Sequence, residues 1–350
     1  VMNGGPALIF ADPFAESMAL SGPAAGQLPP PGVAQAAIEP LLNAWGVTVE
    51  RGQFVANLDD AVRVGFPDPE NGQQVAVDYV AWLDMQGARF SQDDAITAQL
   101  QRIVVSSSGA FMSAEGAETT LEPLIFTTAN SDLMSAFDVS QQPNPIALRD
   151  KFESQDTVFN LAARLTGPVK SAFPDGPSDK ALEGIDDEAK KDEVRAAHKA
   201  VGVKPANIIL VGDADMLADQ NWAQVRDVAG ERVTVPTANN ADFFINALDN
   251  LRGKQGLVSL RGRGLAIRPF QVIVEMRNEA DNKFRSKEQE LLGRIAEVQL
   301  SIERMQREEQ TTGVLLTSQQ QAEIDKFRLA MLDQRKELRD VQRSLREDVE

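Results

Sequence analysis

Two apolar seams at coiled-coil spacing occupy the last eighty residues. The first runs Phe284, Leu291, Ile295, Val298, Ile302, Met305, and from Leu291 onward it steps by four and three. The second runs Ile324, Phe327, Met331, Gln334, Leu338, Val341, Leu345 with the same alternation. That spacing marks the buried stripe of a helix packed on another helix. Between the seams lies Thr311-Thr312-Gly313-Val314-Leu315-Leu316-Thr317-Ser318, a stretch able to break one helix and start the next. Folding the chain back there pairs Met305 with Ile324, Ile302 with Phe327, Val298 with Met331, Leu291 with Leu338 and Phe284 with Leu345; the numbers of each pair total 629. A constant total is what one antiparallel hairpin requires. Gln334 would face Ile295 and Glu288 would face Val341, the loosest points of the seam. Each arm would be roughly 50 Å long at 1.5 Å per residue. The expectation is an antiparallel coiled-coil hairpin over 271–350 with its tip near 311–318.

The pattern before the rod is different. Short apolar runs alternate with helical stretches. Ala7–Ala11 reads as a buried strand closed by Asp12-Pro13. Ala34–Asn43 reads as a helix, and Trp45–Val49 as a helix end passing into a strand. Further strands are expected at Val62–Phe66, Val75–Val80, Ile103–Val105, Leu124–Thr128 and Asn160–Leu165, with a short helix at Ala95–Leu100 opened by Asp93-Asp94. Residues 174–204 are charged and rich in Gly, Pro, Asp and Lys, as in a surface insert. Regular signal resumes at Asn207–Val211, an uninterrupted apolar run that suits a central strand buried on both faces. Asn239–Asn250 reads as a helix and Leu257–Leu260 as the last strand. The fold expected over 1–270 is α/β, a mostly parallel sheet flanked by helices.

Composition narrows what such a chain does. Of 350 residues 43% are hydrophobic and 25% charged, ordinary for packed cores plus a rod. The net charge of −17 argues against nucleic acid or anionic lipid as a general partner. With no cysteine there are no disulfides, thiolate metal sites or cysteine nucleophiles. No run of about 18 apolar residues is present, so nothing in this sequence reads as a membrane span. The chain opens Val-Met-Asn-Gly-Gly, and the expectation is a piece of a longer polypeptide.

Chemistry-bearing motifs are sparse. The single histidine, His198, sits in the charged insert beside Arg195, Lys199 and Lys204, a setting for a solvated helix face. Tyr79, the single tyrosine, lies in an apolar strand and reads as core. Gly212-Asp213-Ala214-Asp215 follows a strand at its carboxyl end, where α/β sheets bind ligands. Asp213 and Asp215 suit a divalent cation; the plainer alternative is a tight turn with Asp215 capping the next helix. Arg261 and Arg263 suit an anion, or a structural role where sheet meets rod. Val314, Leu315 and Leu316 form an apolar triplet at the hairpin tip, fit either for self-capping or for docking a partner. No dinucleotide or phosphate-loop motif is present, and no catalytic residue, metal or cofactor is expected.

The ordered set of segments resembles a family. It comprises Phe10-Ala11-Asp12-Pro13, Leu41-Leu42-Asn43-Ala44-Trp45-Gly46-Val47, Val77-Asp78-Tyr79-Val80-Ala81-Trp82-Leu83, Asn207 to Leu217, Asn239 to Leu251, Leu257 to Arg263 and the closing Glu337 to Glu350. Together they are similar to the auxiliary, often substrate-binding-labelled component of gliding-motility-type bacterial ABC transporters. The resemblance implies a non-enzymatic domain on the periplasmic side of the inner membrane, held by membrane segments outside this chain. It implies a permease and an ATPase as partners, and leaves homo-oligomer formation open. It supplies no binding residue.

The reading that follows is a non-catalytic periplasmic accessory subunit, its hairpin a spacer or docking rod. The rivals are a metal-assisted enzyme using the Asp213/Asp215 loop and an inert coiled-coil scaffold.

Overall fold

The computed structural model describes residues 1–20, 30–68, 72–140, 143–228 and 231–253, together with eight isolated positions between 287 and 336. The chain divides into two units, Val1–Leu265 and Ala266–Glu350.

In the first unit the strands are β1 (Ala7–Phe10), β2 (Val47–Thr48), β3 (Gln53–Asn57), β4 (Ala61–Pro67), β5 (Gln74–Gln86), β6 (Arg102–Ser106), β7 (Met112–Ser113), β8 (Thr120–Phe126), β9 (Ser131–Ser135), β10 (Asn160–Gly167), β11 (Ala206–Val211), β12 (Ala223–Val228) and β13 (Glu231–Pro236). The helices are α1 (Glu16–Leu20), α2 (Val33–Ala44), α3 (Phe137–Ser140), α4 (Pro145–Lys151), α5 (Asp179–Leu182), α6 (Glu188–Ala197), α7 (Asp219–Trp222) and α8 (Asn240–Leu251).

The main sheet has the order β1-β11-β10-β8. β11 is an interior strand, as its apolar run suggests. Its alternation explains the run: Ile209 and Val211 share a core with Phe243 and Ala247 of α8, while Ile208 and Leu210 share another with Leu42 of α2 and Trp45. Both faces are covered over Ile208–Val211, so these four positions are apolar; the polar residue of the strand, Asn207, is half-buried and accepts a bond from Arg164. The sheet is mixed, not mostly parallel. β1 and β11 run parallel, but β10 is antiparallel to both β11 and β8. Burial on both faces makes a strand apolar whatever its direction. The apolar pattern therefore does not report the direction of β10.

A second layer is a three-stranded antiparallel sheet, β4-β5-β6. Tyr79, Val80 and Ala81 of β5 pack with Phe54, Met134 and Leu148 in a separate core. Residues 95–99, expected to be helical, form turns instead. The Asp94 side chain bonds the Ile96 N–H and pairs bidentately with Arg164 of β10 at 2.7 and 3.1 Å. That tertiary ion pair holds Asp94 facing the sheet rather than capping a helix. The charged insert is partly helical, through α5 and α6.

In the second unit Lys287, Leu291, Gly293, Arg294, Ile295, Lys326, Leu332 and Lys336 are helical. Leu291 and Ile295, both positions of the first seam, are buried, whereas Gly293 and Arg294 are exposed. The pairing of the two seams, the tip residues Val314, Leu315 and Leu316, and the Leu257–Leu260 strand lie outside the described residues, as do Arg261 and Arg263. No helix among the described residues is long and apolar enough to cross a membrane.

Candidate functional site

Parallel pairing brings the carboxyl ends of β1 and β11 to the same edge of the sheet. Asp12 follows β1, and Asp213 and Asp215 follow β11. Gly212 makes the crossing feasible: a Cβ there would lie 2.2 Å from the Gly109 carbonyl oxygen, so only glycine fits. The Gly109 N–H donates to the Gly212 carbonyl at 2.9 Å, which locks the loop after β6 against the end of β11.

Three carboxylates meet at this edge. One oxygen each from Asp12, Asp213 and Asp215 lies within 4.8 Å of the other two, a spacing that could hold a metal ion. Asp213 and Asp215 are 1% exposed and Asp12 7%. All six carboxylate oxygens already accept hydrogen bonds. Asp12 takes the N–H groups of Phe14 and Ala214, each at 2.8 Å. Asp213 takes those of Ser106 at 2.7 Å and Met216 at 3.1 Å. Asp215 takes those of Glu16 at 2.5 Å and Ser17 at 3.0 Å, together with the Ser17 hydroxyl. The expected cap on the helix after Asp215 is thus corrected. Asp215 instead holds the backbone at the start of α1, 199 residues away in sequence, and Asp213 bonds the turn after β11.

A fourth acid adjoins the three. Glu16 accepts the Ser107 hydroxyl on one oxygen and the Trp82 indole N–H, at 3.0 Å, on the other. Ser107 follows β6 at a φ of 48°, left-handed backbone that non-glycine residues rarely adopt. Tyr79 packs edge-on to Trp82 with ring centres 5.1 Å apart, and its buried hydroxyl has no hydrogen-bond partner among the described residues.

Charge explains how so many acids coexist. Among the described residues, the charges acting on Asp12, Glu16 and Asp213 are those of other acids. Burial and then the Asp215 charge push the Asp12 carboxyl up to about 7. Burial, Asp12 and Asp215 hold Asp213 well above the usual carboxylate range. Burial likewise raises Glu16 and Asp215, against the hydrogen bonds that favour their charged forms. Like charges at this separation do not all ionise, so the group balances itself by retaining protons. A cation would enter by displacing them.

Sequence reasoning found Asp213 and Asp215 but treated Asp12 only as the end of a strand, and it missed Glu16 and Ser107. The Asp12-Pro13 step was the available signal. His198 ends α6, half-buried, with Nε2 enclosed and without a partner among the described residues.

A family model described as an ABC-type uncharacterized transport system matches residues 1–247. The chain belongs to this family. The match covers every described strand, the first two-thirds of α8 and the four acids. No curated protein and no solved structure matches the chain. Membership identifies an auxiliary protein of ABC-type transport; the gliding-motility type is a finer assignment.

Proposed function

We propose that the chain is a non-catalytic accessory subunit of a bacterial ABC transporter, of the gliding-motility type, working on the periplasmic side of the inner membrane. The family match over residues 1–247 carries the reading. The α/β unit binds a ligand or partner, and Asp213 and Asp215 help hold the sheet edge where that contact forms. The C-terminal hairpin spaces the unit from the membrane or docks a partner through Val314, Leu315 and Leu316. Arg261 and Arg263 bind an anion or neutralise acidic neighbours. A permease and an ATPase are the partners. The test is affinity purification of the tagged full-length protein from its native membranes, followed by mass spectrometry. Stoichiometric recovery of both transporter subunits is the expected result, and recovery of neither removes the reading.

One observation favours a second reading, metal-assisted chemistry: Asp12 adds a third carboxylate to Asp213 and Asp215 within cation reach. Magnesium- or manganese-dependent turnover lost in Asp213→Ala would support it.

A further inference from the structure

The carboxyl end of α2 opens into a cleft of about 210 Å³ that shares no residue with the acid group. Its walls are Asn43–Gly46 at the helix end, the Ala114–Thr119 loop between β7 and β8, and Pro168 and Lys170 beyond β10. These walls are bonded to one another. The Thr119 hydroxyl donates to the Trp45 carbonyl at 2.6 Å, and the Ala114 N–H donates to the Gly46 carbonyl at 2.9 Å. Gly46 has a φ of 73°, and a Cβ there would lie 2.6 Å from that of Ala117. The loop can approach the helix end only because position 46 is glycine.

The field in the cleft has one sign. α2 is 12 residues long and has no basic side chain in its last turn, so the negative end of its dipole is uncompensated there. Glu115 and Glu118 are exposed on the facing loop. Among the described residues the cation in the lining is Lys170, whose Nζ sits 2.7 Å from Glu118 Oε1 with both side chains more than half exposed. An ammonium group, the protein's own, therefore already pairs with a carboxylate of the cleft wall. A pair so well solvated is weak and readily exchanged. Anions are repelled by Glu115, Glu118 and the helix end alike.

We propose that this cleft is a docking site for the ammonium group of a lysine on a partner protein, in competition with Lys170. Lys170 shows that a lysine ammonium pairs with Glu118 of this lining. The net charge of −17 draws basic surfaces toward the chain. The open, exposed rim at Asn43, Gly116 and Pro168 suits a side chain presented from another protein.

The test is a titration of the whole chain at low salt, followed by the amide shifts of Gly46 and Gly116. The probes are a capped lysine tripeptide, the same tripeptide with norleucine, and butylammonium. The lysine tripeptide is expected to saturate in the millimolar range. Lys170→Met removes the internal competitor and should tighten binding about three- to fivefold. Adding Glu118→Gln to that variant should weaken it by at least the same factor. No saturable shift in Lys170→Met overturns the proposal, as does equal binding of the norleucine tripeptide. Butylammonium binding as tightly as the lysine tripeptide overturns the assignment to a partner's lysine and leaves a free-amine site.

Discussion

The Asp12 carboxylate accepts the Ala214 N–H at 2.8 Å, joining the ends of two parallel strands across 202 residues of sequence. Everything at this sheet edge hangs on such carboxylate-to-backbone bonds. Asp213 reaches to β6 and Asp215 to α1. The acids thus hold together segments that are distant in sequence.

This arrangement makes stability fall as pH rises. Asp12 in the folded chain titrates near 7, above its ordinary 3.8. Below the unfolded value both states are protonated and the contribution to stability is complete. Above it the unfolded chain releases the proton first, so stability is lost progressively as pH climbs through 7. The loss attributable to Asp12 is on the order of 4 kcal/mol, at 1.36 kcal/mol for each pKa unit. Asp213, shifted in the same direction, adds to it. Denaturant unfolding between pH 5 and 8 should show the decline, and Asp12→Asn should flatten it. A profile equally steep in Asp12→Asn would place the titration elsewhere.

Asp215 is the anchor of α1. Removing its carboxylate strands the N–H groups of Glu16 and Ser17 and the Ser17 hydroxyl. Asp215→Ala should cost about 1–2 kcal/mol, the usual loss of a helix cap. Asp215→Asn keeps an acceptor and sheds a like charge, so it should cost less. Hydrogen exchange localises the effect: the Glu16 and Ser17 amides should lose protection in Asp215→Ala before the rest of the unit does.

The Gly212 crossing predicts a sharp contrast between two glycines. Gly212→Ala drives a methyl group into the Gly109 carbonyl at 2.2 Å. Both atoms are backbone-fixed, so the strand ends must separate, at about 3 kcal/mol, the upper end of ordinary overpacking. Gly184 has no atom within 4 Å of a built Cβ and no positive φ. Gly184→Ala should leave the midpoint of unfolding unchanged. Comparable losses in both variants would show that the close approach at Gly212 is relieved in solution.

Arg164 lies within β10, 9% exposed, paired bidentately with Asp94 and bonded to Asn207 Oδ1 at 2.7 Å. Arg164→Met leaves the half-buried Asp94 without its counter-charge and should destabilise by about 2 kcal/mol. The double variant Arg164→Met, Asp94→Asn should recover more than half of that loss. Chemical denaturation of the three proteins decides it.

These sites show where sequence reasoning reaches and where it stops. The apolar run of β11 identified an interior strand because covering both faces removes polar residues. The same logic is blind to direction, which is why the antiparallel β10 was unforeseen. Asp213 and Asp215 were visible because they stand two apart after that run. Asp12 and Glu16 were not, since only folding brings them within reach of residues about 200 positions away. The turn at 95–99 has helical composition, but the Arg164–Asp94 pair is a tertiary interaction that local propensity does not carry.

The hairpin proposed for the second unit is tested most directly by its register. The chain contains no cysteine, so a pair introduced by mutation is the only pair available. Ile302→Cys with Phe327→Cys obeys the total of 629 and should place the two Cβ atoms within disulfide range, about 3.5–4.5 Å. Ile302→Cys with Met331→Cys shifts one arm by about a turn, near 6 Å along the helix, and should not close. Mild oxidation of each full-length variant, followed by non-reducing electrophoresis, separates the cases. A fast-migrating monomer is expected for the first pair only. Leu291→Ala with Leu338→Ala should meanwhile lower stability by several kcal/mol, through the ordinary cost of two large-to-small core changes. If the first pair stays open or links only between chains, the two seams do not form one antiparallel hairpin, and the rod reading of the C-terminal unit goes with it.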